Sequence, residues 1–445
     1  MGEAIREKKI NKFCLYLYAF LVLYNPSFFK NSNAYLDYSL TFIYWIIGLF
    51  ALKPEKETGN SNKSIIIRFG VIGMLFFCMR TLFAGTSLFD VINLRIIQSA
   101  SVIVSMLSMC NLALYFRKKG LTKEEQISFI LNVCMIQFAF VLIMIISPDF
   151  RMKVLNVIYI TNKRDFSFTI AKRVYGIMSN YTYAGSVFHG FMAFVALYTG
   201  FRTNNSKYYF YIPFLLITIF LNGRIGLIVF LASTSIFLFY NLVTGNHYNR
   251  LVKIIMLLIL LVIAALLLLP VLWPNTYRFF LNGFFEMFSF AQTGVASEVG
   301  SSDIDDLFGQ FNTNFNIKSL LIGNGHRIQT PGDIPNGVEF TGVCSDMGLL
   351  NDMYMGGIIY MLLLRIPLFK IITKSKSDAI EGAFNIVLIV ILIIASLKGE
   401  VYRSTIIVGS LVYVKYALDT NAEKSNSSTG TATDKPFHDI SARAI

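Results

Sequence analysis

Residues 252–272, VKIIMLLILLVIAALLLLPVL, decide the fold class of this chain. A helix needs about 20 consecutive apolar residues to cross the hydrocarbon core of a bilayer. This stretch meets that length, and its one charged residue, Lys253, stands at its start. Because a helix satisfies all of its own backbone hydrogen bonds, such a segment is stable in lipid. The stretch therefore predicts a membrane-spanning helix.

The composition of the whole chain indicates many such spans. Hydrophobic residues make up 55% of the 445 residues and charged residues 15%, which is typical of polytopic membrane proteins. A scan for runs of the required length finds about twelve. They lie at 12–29, 35–52, 64–83, 91–116, 126–147, 182–200, 207–222, 224–243, 252–272, 348–369, 381–397 and 401–418. Because the runs on either side of Gly223 are short and nearly fused, the count is open by two.

We predict an all-α polytopic membrane protein with about 12 transmembrane helices. Residues 1–418 form a single transmembrane domain. Residues 419–445 are rich in Ser, Thr, Asn and Ala, a composition that predicts a disordered tail.

The net charge of +13 follows a topological pattern. Positive residues collect in loops that stay in the cytoplasm, and from the N-terminus onward every second loop is basic. The basic clusters lie at 6–12, 53–63, 117–123, 202–207, 250–253 and 370–376. This alternation predicts that both termini are cytoplasmic, and it explains the charge without a nucleic-acid partner.

Two outside loops are long, at about 148–181 and 273–347. The first is basic, although positive charge is disfavoured in short translocated loops, and this favours an anionic ligand. The alternative is that basic loops are sometimes carried across without a function. The second loop is polar and acidic overall, and long loops of this kind are uncommon unless they are functional or disordered.

Four arginines stand at the outer ends of spans. Guanidinium groups bind phosphate through two parallel hydrogen bonds and stay charged when partly desolvated. Several that converge on one cavity would suit a pyrophosphate, whereas a single arginine is more simply an interfacial anchor. That all four lie on one side by topology favours a shared site. The four are Arg173, Arg224, Arg327 and Arg403.

Candidates for a catalytic base lie in the polar stretch from Gly323 to Asp352. His326 titrates in the useful range, and Asp346 lies where the tenth span begins. Two weaker candidates have simpler roles. Glu400 stands beside Lys398 and Arg403 as an ion-pair partner, and His189, inside the sixth span, would hydrogen-bond a neighbouring helix.

Metal chemistry has no support in the sequence. The four histidines are far apart along the chain and lack cysteine or histidine partners at ligand spacing. We therefore expect no metal and no other cofactor.

The chain carries three short motifs: RVYGIMSNYTYAG from Arg173, NGRIGLIVFLAS from Asn222, and a GNGH turn from Gly323 followed by SDMGLLNDMYMGGIIY from Ser345. Together they resemble motifs of the Wzy-type O-antigen and capsule polysaccharide polymerases. The resemblance extends in layout over about residues 64–418. Related O-antigen ligases often have histidine and asparagine where this chain has Ser345 and Asp346, which favours a polymerase.

The resemblance implies a metal-independent glycosyltransferase in the bacterial cytoplasmic (inner) membrane. It would join undecaprenyl-pyrophosphate-linked oligosaccharide repeat units on the outer face, with one lipid-linked glycan as donor and another as acceptor. Arg173, Arg224, Arg327 and Arg403 would bind the pyrophosphate, and His326 or Asp346 would activate the acceptor hydroxyl. The membrane lipids are its surroundings, and a chain-length regulator is a further partner that the sequence leaves open.

Three alternatives remain. A flippase or transporter for the same lipid-linked sugars would also have many spans and buried arginines, but it should show related halves and short loops, and this chain has neither. The second alternative is an O-antigen ligase. The third, a scaffolding membrane protein, would give no reason for the clustered outer arginines.

Overall fold

The computed structural model describes residues 12–26, 34–52, 60–83, 97–158, 174–178, 183–245, 248–274, 277–278, 281–282, 317–324, 348–373, 379–399 and 401–418. Within these ranges the regular structure is helical, and no strand occurs. The α-helices are α1 (Lys12–Tyr24), α2 (Ala34–Ala51), α3 (Asn60–Phe83), α4 (Ile97–Lys118), α5 (Lys123–Ile146), α6 (Pro148–Val157), α7 (Tyr183–Thr203), α8 (Tyr211–Asn222), α9 (Arg224–Val243), α10 (Tyr248–Leu272), α11 (Ile317–Ile322), α12 (Gly348–Thr373), α13 (Ala379–Lys398) and α14 (Thr405–Leu418). Two 3-10 helices, Ser206–Tyr208 and Val401–Arg403, precede α8 and α14.

The protein is an all-α membrane protein. Seven of the described helices, α4, α5, α7, α9, α10, α12 and α13, are long and apolar enough to cross a membrane. Each of the twelve predicted runs coincides with a helix, although α1, α8 and α14 are shorter than a full crossing requires. The number of twelve spans, the orientation of the termini and the disordered tail stay predictions, and residues 419–445 lie outside the described residues.

Two contacts between helix ends show which helices meet at one end of the bundle. At one end of the bundle, which we call the basic end, the Arg250 guanidinium donates to the Phe201 carbonyl over 3.0 Å. There too, the Tyr413 hydroxyl donates to the Gln126 carbonyl over 2.9 Å. The ends of α7 and α14 therefore lie beside the starts of α10 and α5, as the alternating charge of the loops predicts.

Helix α7 is the centre of the bundle. Every residue from Gly185 to Phe201 is buried, and α7 packs against α8, α9, α13 and α14. Its Tyr198 ring lies 4.2 Å from the ring of Phe384 on α13 and 5.8 Å from that of Phe237 on α9, measured between centroids. Since lipid gives helices no hydrophobic reason to associate, this close packing holds the bundle together.

Helix α10, the most apolar span, is also the least enclosed. Leu251 and Ile254 near its start are buried, and most of the side chains beyond them are exposed. An apolar surface of this kind is stable in contact with acyl chains.

Helix α12 is broken at Gly357, where φ is 68° and ψ is −175°. Asp352 before the break and Arg365 after it form a salt bridge of 3.1 Å. In a straight helix these two residues would be about 20 Å apart along the axis, which is farther than their side chains reach. The first half, 348–356, therefore folds back toward the second half, 358–373, and the predicted run 348–369 is not one straight span.

Candidate functional site

The turn between α8 and α9 carries Arg224 as the first residue of α9. The amide of Gly223 closes α8 by donating to the Ile219 carbonyl over 2.8 Å. The N-cap residue of α9, Gly223, makes no side-chain capping bond, and the first turn of α9 has no acidic residue. A cation at a helix N-terminus is opposed by the helix dipole, so helix stability does not explain an arginine here.

Ser186 in the first turn of α7 fastens this turn to the core. Its hydroxyl donates to the Gly223 carbonyl over 2.5 Å and accepts from the Gly226 amide over 3.0 Å. A Cβ added at Gly226 would lie 2.1 Å from the Ser186 carbonyl oxygen. Helices α7 and α9 therefore approach backbone to backbone, which only small residues permit, and the position of Arg224 is tightly constrained.

Residues 174–178 lie against the same turn. The Val174 amide donates to the Leu221 carbonyl over 3.1 Å. Gln137 of α5 fixes the segment through two hydrogen bonds. Its side-chain amide donates to the Tyr175 carbonyl over 2.5 Å, and its side-chain carbonyl accepts from the Ile177 amide over 3.2 Å. Gly176 takes the left-handed conformation that this tight path requires, with φ at 68°.

Arg151 of α6 adds a cation to this end of the bundle. Helix α6 occupies the start of the predicted basic loop. Its N-cap is Ser147, whose hydroxyl accepts from the Phe150 amide over 3.3 Å. The Arg151 guanidinium is half-buried. Burial lowers its pKa, and the nearby Tyr175 opposes that shift. Arg151 thus lies close to the segment that follows Arg173.

The first turn of α7 also contacts the end of α13. The Tyr183 hydroxyl donates to the Ala395 carbonyl over 2.6 Å, and a Cβ added at Gly399 would lie 2.6 Å from the Tyr183 ring. The 3-10 helix Val401–Arg403 follows directly, since the Val401 amide donates to the Gly399 carbonyl over 2.9 Å. One helical turn, 183–186, therefore joins the Arg224 turn to the turn that contains Arg403.

The predicted site residues divide into three groups. Arg224 is half-exposed, and its Nε atom is buried. The backbone of Arg403 lies in the 3-10 helix Val401–Arg403, and its side chain is not among those that the structure describes. The remaining four lie outside the described residues, as does the weaker candidate Glu400. These four are Arg173, His326, Arg327 and Asp346.

His189 has the structural role expected of it. The residue is fully buried. One ring nitrogen, Nε2, lies 3.0 Å from the Tyr24 hydroxyl on α1, and Nδ1 lies 2.7 Å from the Gly185 carbonyl oxygen. The prediction that this histidine hydrogen-bonds a neighbouring helix is confirmed.

Sequence reasoning missed a buried charged group on α12. Asp352 and Arg365 are 1% and 7% exposed, and the guanidinium carbon of Arg365 lies 4.1 Å from the centre of the Tyr402 ring. A signal was present in the sequence, because two opposite charges flank the Gly356-Gly357 pair inside an apolar run. Charges at membrane depth are rare and usually paired.

The start of the polar stretch is anchored on both sides. Nε of Arg80 on α3 donates to the carbonyls of Ile322 and Gly323, over 3.1 and 2.8 Å. The Asn324 amide donates to the Tyr354 carbonyl of α12 over 2.7 Å. Helix α11 and the two residues after it are therefore fixed between α3 and the first half of α12.

In the part of the chain that the structure describes, no group of three or more His, Cys, Asp or Glu side chains is placed to hold a metal ion. The expectation of metal-independent chemistry comes from the sequence and stays a prediction.

Comparison with known proteins assigns no family. No protein-family model matches the chain, no curated protein is significantly similar to it, and no solved structure matches it significantly.

Proposed function

We propose that this protein is a polysaccharide polymerase that joins lipid-pyrophosphate-linked oligosaccharide units at the outer face of a bacterial cytoplasmic membrane. The observation that carries the proposal is that the segment following Arg173, the turn that contains Arg224 and the turn that contains Arg403 meet around the first turn of α7. Val174, which follows Arg173, bonds the end of α8 three residues before Arg224. Through Ser186 and Tyr183, the same region reaches the turn that contains Arg403.

A group of guanidiniums at this place would suit the chemistry of the proposed reaction. A base takes the proton of the acceptor hydroxyl, the oxygen attacks the anomeric carbon of the donor sugar, and the lipid pyrophosphate leaves. Negative charge builds on the leaving group, and preorganised positive charge acts most strongly where charge develops. Arg224 begins a helix, so the amides of the first turn of α9 add to the positive field at this place.

The acceptor side would be supplied by the polar stretch between α11 and α12. His326 and Asp346 belong to residues 325–347, which join Asn324 to Gly348. Both flanks are anchored on α12, the first through the Asn324 amide. The second half of α12 reaches the Arg403 turn through Arg365 and Tyr402. These contacts support a shared pocket for the base and the arginines.

A flippase for the same lipid-linked glycan is the second candidate, and the broken helix α12 favours it. Discontinuous helices with exposed backbone groups are a common feature of transporter substrate sites. The two functions differ in what a cell without the protein accumulates. A cell without the polymerase keeps single repeat units on its surface, whereas a cell without the flippase keeps them inside.

The experiment is gene deletion followed by complementation with two arginine variants. Arg224→Ala should give normal protein level and no polymer. Arg250→Ala is the matched control, because it removes a half-buried arginine at the basic end, and it should restore long glycan. Wild-type chain length with Arg224→Ala would remove Arg224 from the site, and accumulation of repeat units only inside the deleted cell would assign a flippase.

A further inference from the structure

The Arg365 guanidinium contacts three parts of the chain at once. Its Nη2 bonds Asp352 in the first half of α12 over 3.1 Å, and its Nη1 bonds the Met361 carbonyl in the second half over 3.1 Å. Its face lies on the Tyr402 ring of the 3-10 helix Val401–Arg403. The edge of the planar guanidinium therefore makes hydrogen bonds, while its face packs on an aromatic ring.

These contacts exceed what charge neutralisation requires. A buried carboxylate needs a cation, and lysine would supply one as a compact ammonium. Only the flat guanidinium can also cover an aromatic face while keeping its hydrogen bonds in the plane. An arginine at position 365 therefore provides a contact with the Tyr402 ring that a lysine could not provide.

The 401–403 turn depends on side-chain contacts for its position. It is a single short 3-10 helix between α13 and α14, closed by hydrogen bonds from the Val401 and Ser404 amides. Val401 and Tyr402 are 1% and 4% exposed. The ring of Tyr402 is therefore a main anchor of this turn against α12.

We infer that Asp352, Arg365 and Tyr402 form a positioning unit that holds the 401–403 turn, and with it Arg403, against the second half of α12. This inference rests on the proposed function, in which Arg403 binds the pyrophosphate. None of the three is assigned contact with substrate. They act through the backbone of the turn and through the break at Gly357.

The unit should affect turnover more than binding. Misplacing a catalytic group by about 1 Å from a distance costs on the order of 100-fold in rate. A group that contacts the leaving pyrophosphate mainly in the transition state lowers kcat when it shifts, while KM changes little. A merely structural role would instead lower the yield of folded protein and leave the kcat of the folded fraction unchanged.

The test uses purified full-length protein in phospholipid vesicles. Its probe is the lipid-linked single-repeat glycan extracted from cells that lack the gene. Tyr402→Phe keeps the ring face and should stay within about twofold of wild type. Tyr402→Leu removes the ring, and Arg365→Lys keeps the ion pair but loses the planar face. Both should lower kcat by about 10- to 100-fold, with KM within about threefold.

The outcomes separate the inference from the proposed function. If the wild-type protein does not elongate the probe, the proposed function fails. If it does, and folded Tyr402→Leu or Arg365→Lys elongates the probe at the wild-type kcat, the positioning unit is refuted. Loss of turnover in Tyr402→Phe would also overturn it, since the hydroxyl and not the ring face would then matter. Should Tyr402→Leu fail to fold, Arg365→Lys decides, because its ion pair with Asp352 is retained.

Discussion

The break in α12 can be tested at Gly357 by replacing this glycine with alanine. Its φ of 68° with ψ near 180° lies in a region that is open almost only to glycine, and another residue there is strained by about 1–3 kcal/mol. The added Cβ would lie 2.3 Å from the Leu321 carbonyl oxygen and 2.5 Å from the Ile322 amide nitrogen. Because these are backbone atoms that cannot rotate away, overpacking adds about 1–3 kcal/mol.

We therefore expect Gly357→Ala to lower the free energy of unfolding by between about 2 and 6 kcal/mol. Two other glycines separate the causes. Gly120 has a φ of 76°, and no described residue lies within 4 Å of an added Cβ, so its alanine variant carries only the conformational cost of about 1–2 kcal/mol. At Gly73, inside α3, the added Cβ would contact, among the residues that the structure describes, only Leu363, at 3.6 Å. Alanine there should be neutral or stabilising by up to about 1 kcal/mol.

The measurement is unfolding of the purified protein in mixed micelles with increasing sodium dodecyl sulfate, followed by circular dichroism. The expected order of stability is Gly73→Ala first, then Gly120→Ala, then Gly357→Ala. If Gly357→Ala were as stable as Gly120→Ala, the close approach of α11 to the break would be refuted. The same variant should also lose polymer, because the fold-back aligns Asp352 with Arg365.

Three further predictions concern other parts of the molecule. Lys415→Met should lower the free energy of unfolding by about 3–5 kcal/mol, because Glu381 then stays buried without the cation that lies 3.2 Å from it. The double variant Lys415→Met/Glu381→Leu should recover most of that loss in the same micelle titration. A single variant as stable as wild type would contradict this. Tyr24→Phe should lower the free energy of unfolding by about 1–3 kcal/mol, since His189 loses a buried hydrogen bond, and the polymer length on gels should be unchanged. Loss of polymer at normal stability would instead give His189 a role in the reaction. Cys344, kept as the only cysteine, should react with a membrane-impermeant maleimide from outside the cell, and reaction from the cytoplasm alone would overturn the topology.

Much of the candidate site could be located only in outline from the sequence. Arg224 can be identified from the sequence because it is a charged residue between two apolar runs, with Gly223 and Gly226 beside it. Its attachment to α7 was not, since Ser186 is an ordinary small residue in a buried helix. The hydrogen bond from Val174 to Leu221 joins segments that are distant in sequence, and no local sequence pattern predicts it. Asp352 and Arg365 were visible as charges, but their contact requires a chain reversal.

The sequence by itself determined that this is a helical membrane protein, where its apolar helices lie and how its charge alternates along the chain. These properties follow from the length and hydrophobicity of single segments, because each helix satisfies its own backbone in lipid. Only the tertiary structure decided that α12 folds back on itself, that α7 is central, and that one turn of α7 joins the Arg224 and Arg403 turns. Those contacts depend on how closely backbones approach and where a glycine bends the chain, and such packing is a property of pairs of segments that no single segment encodes.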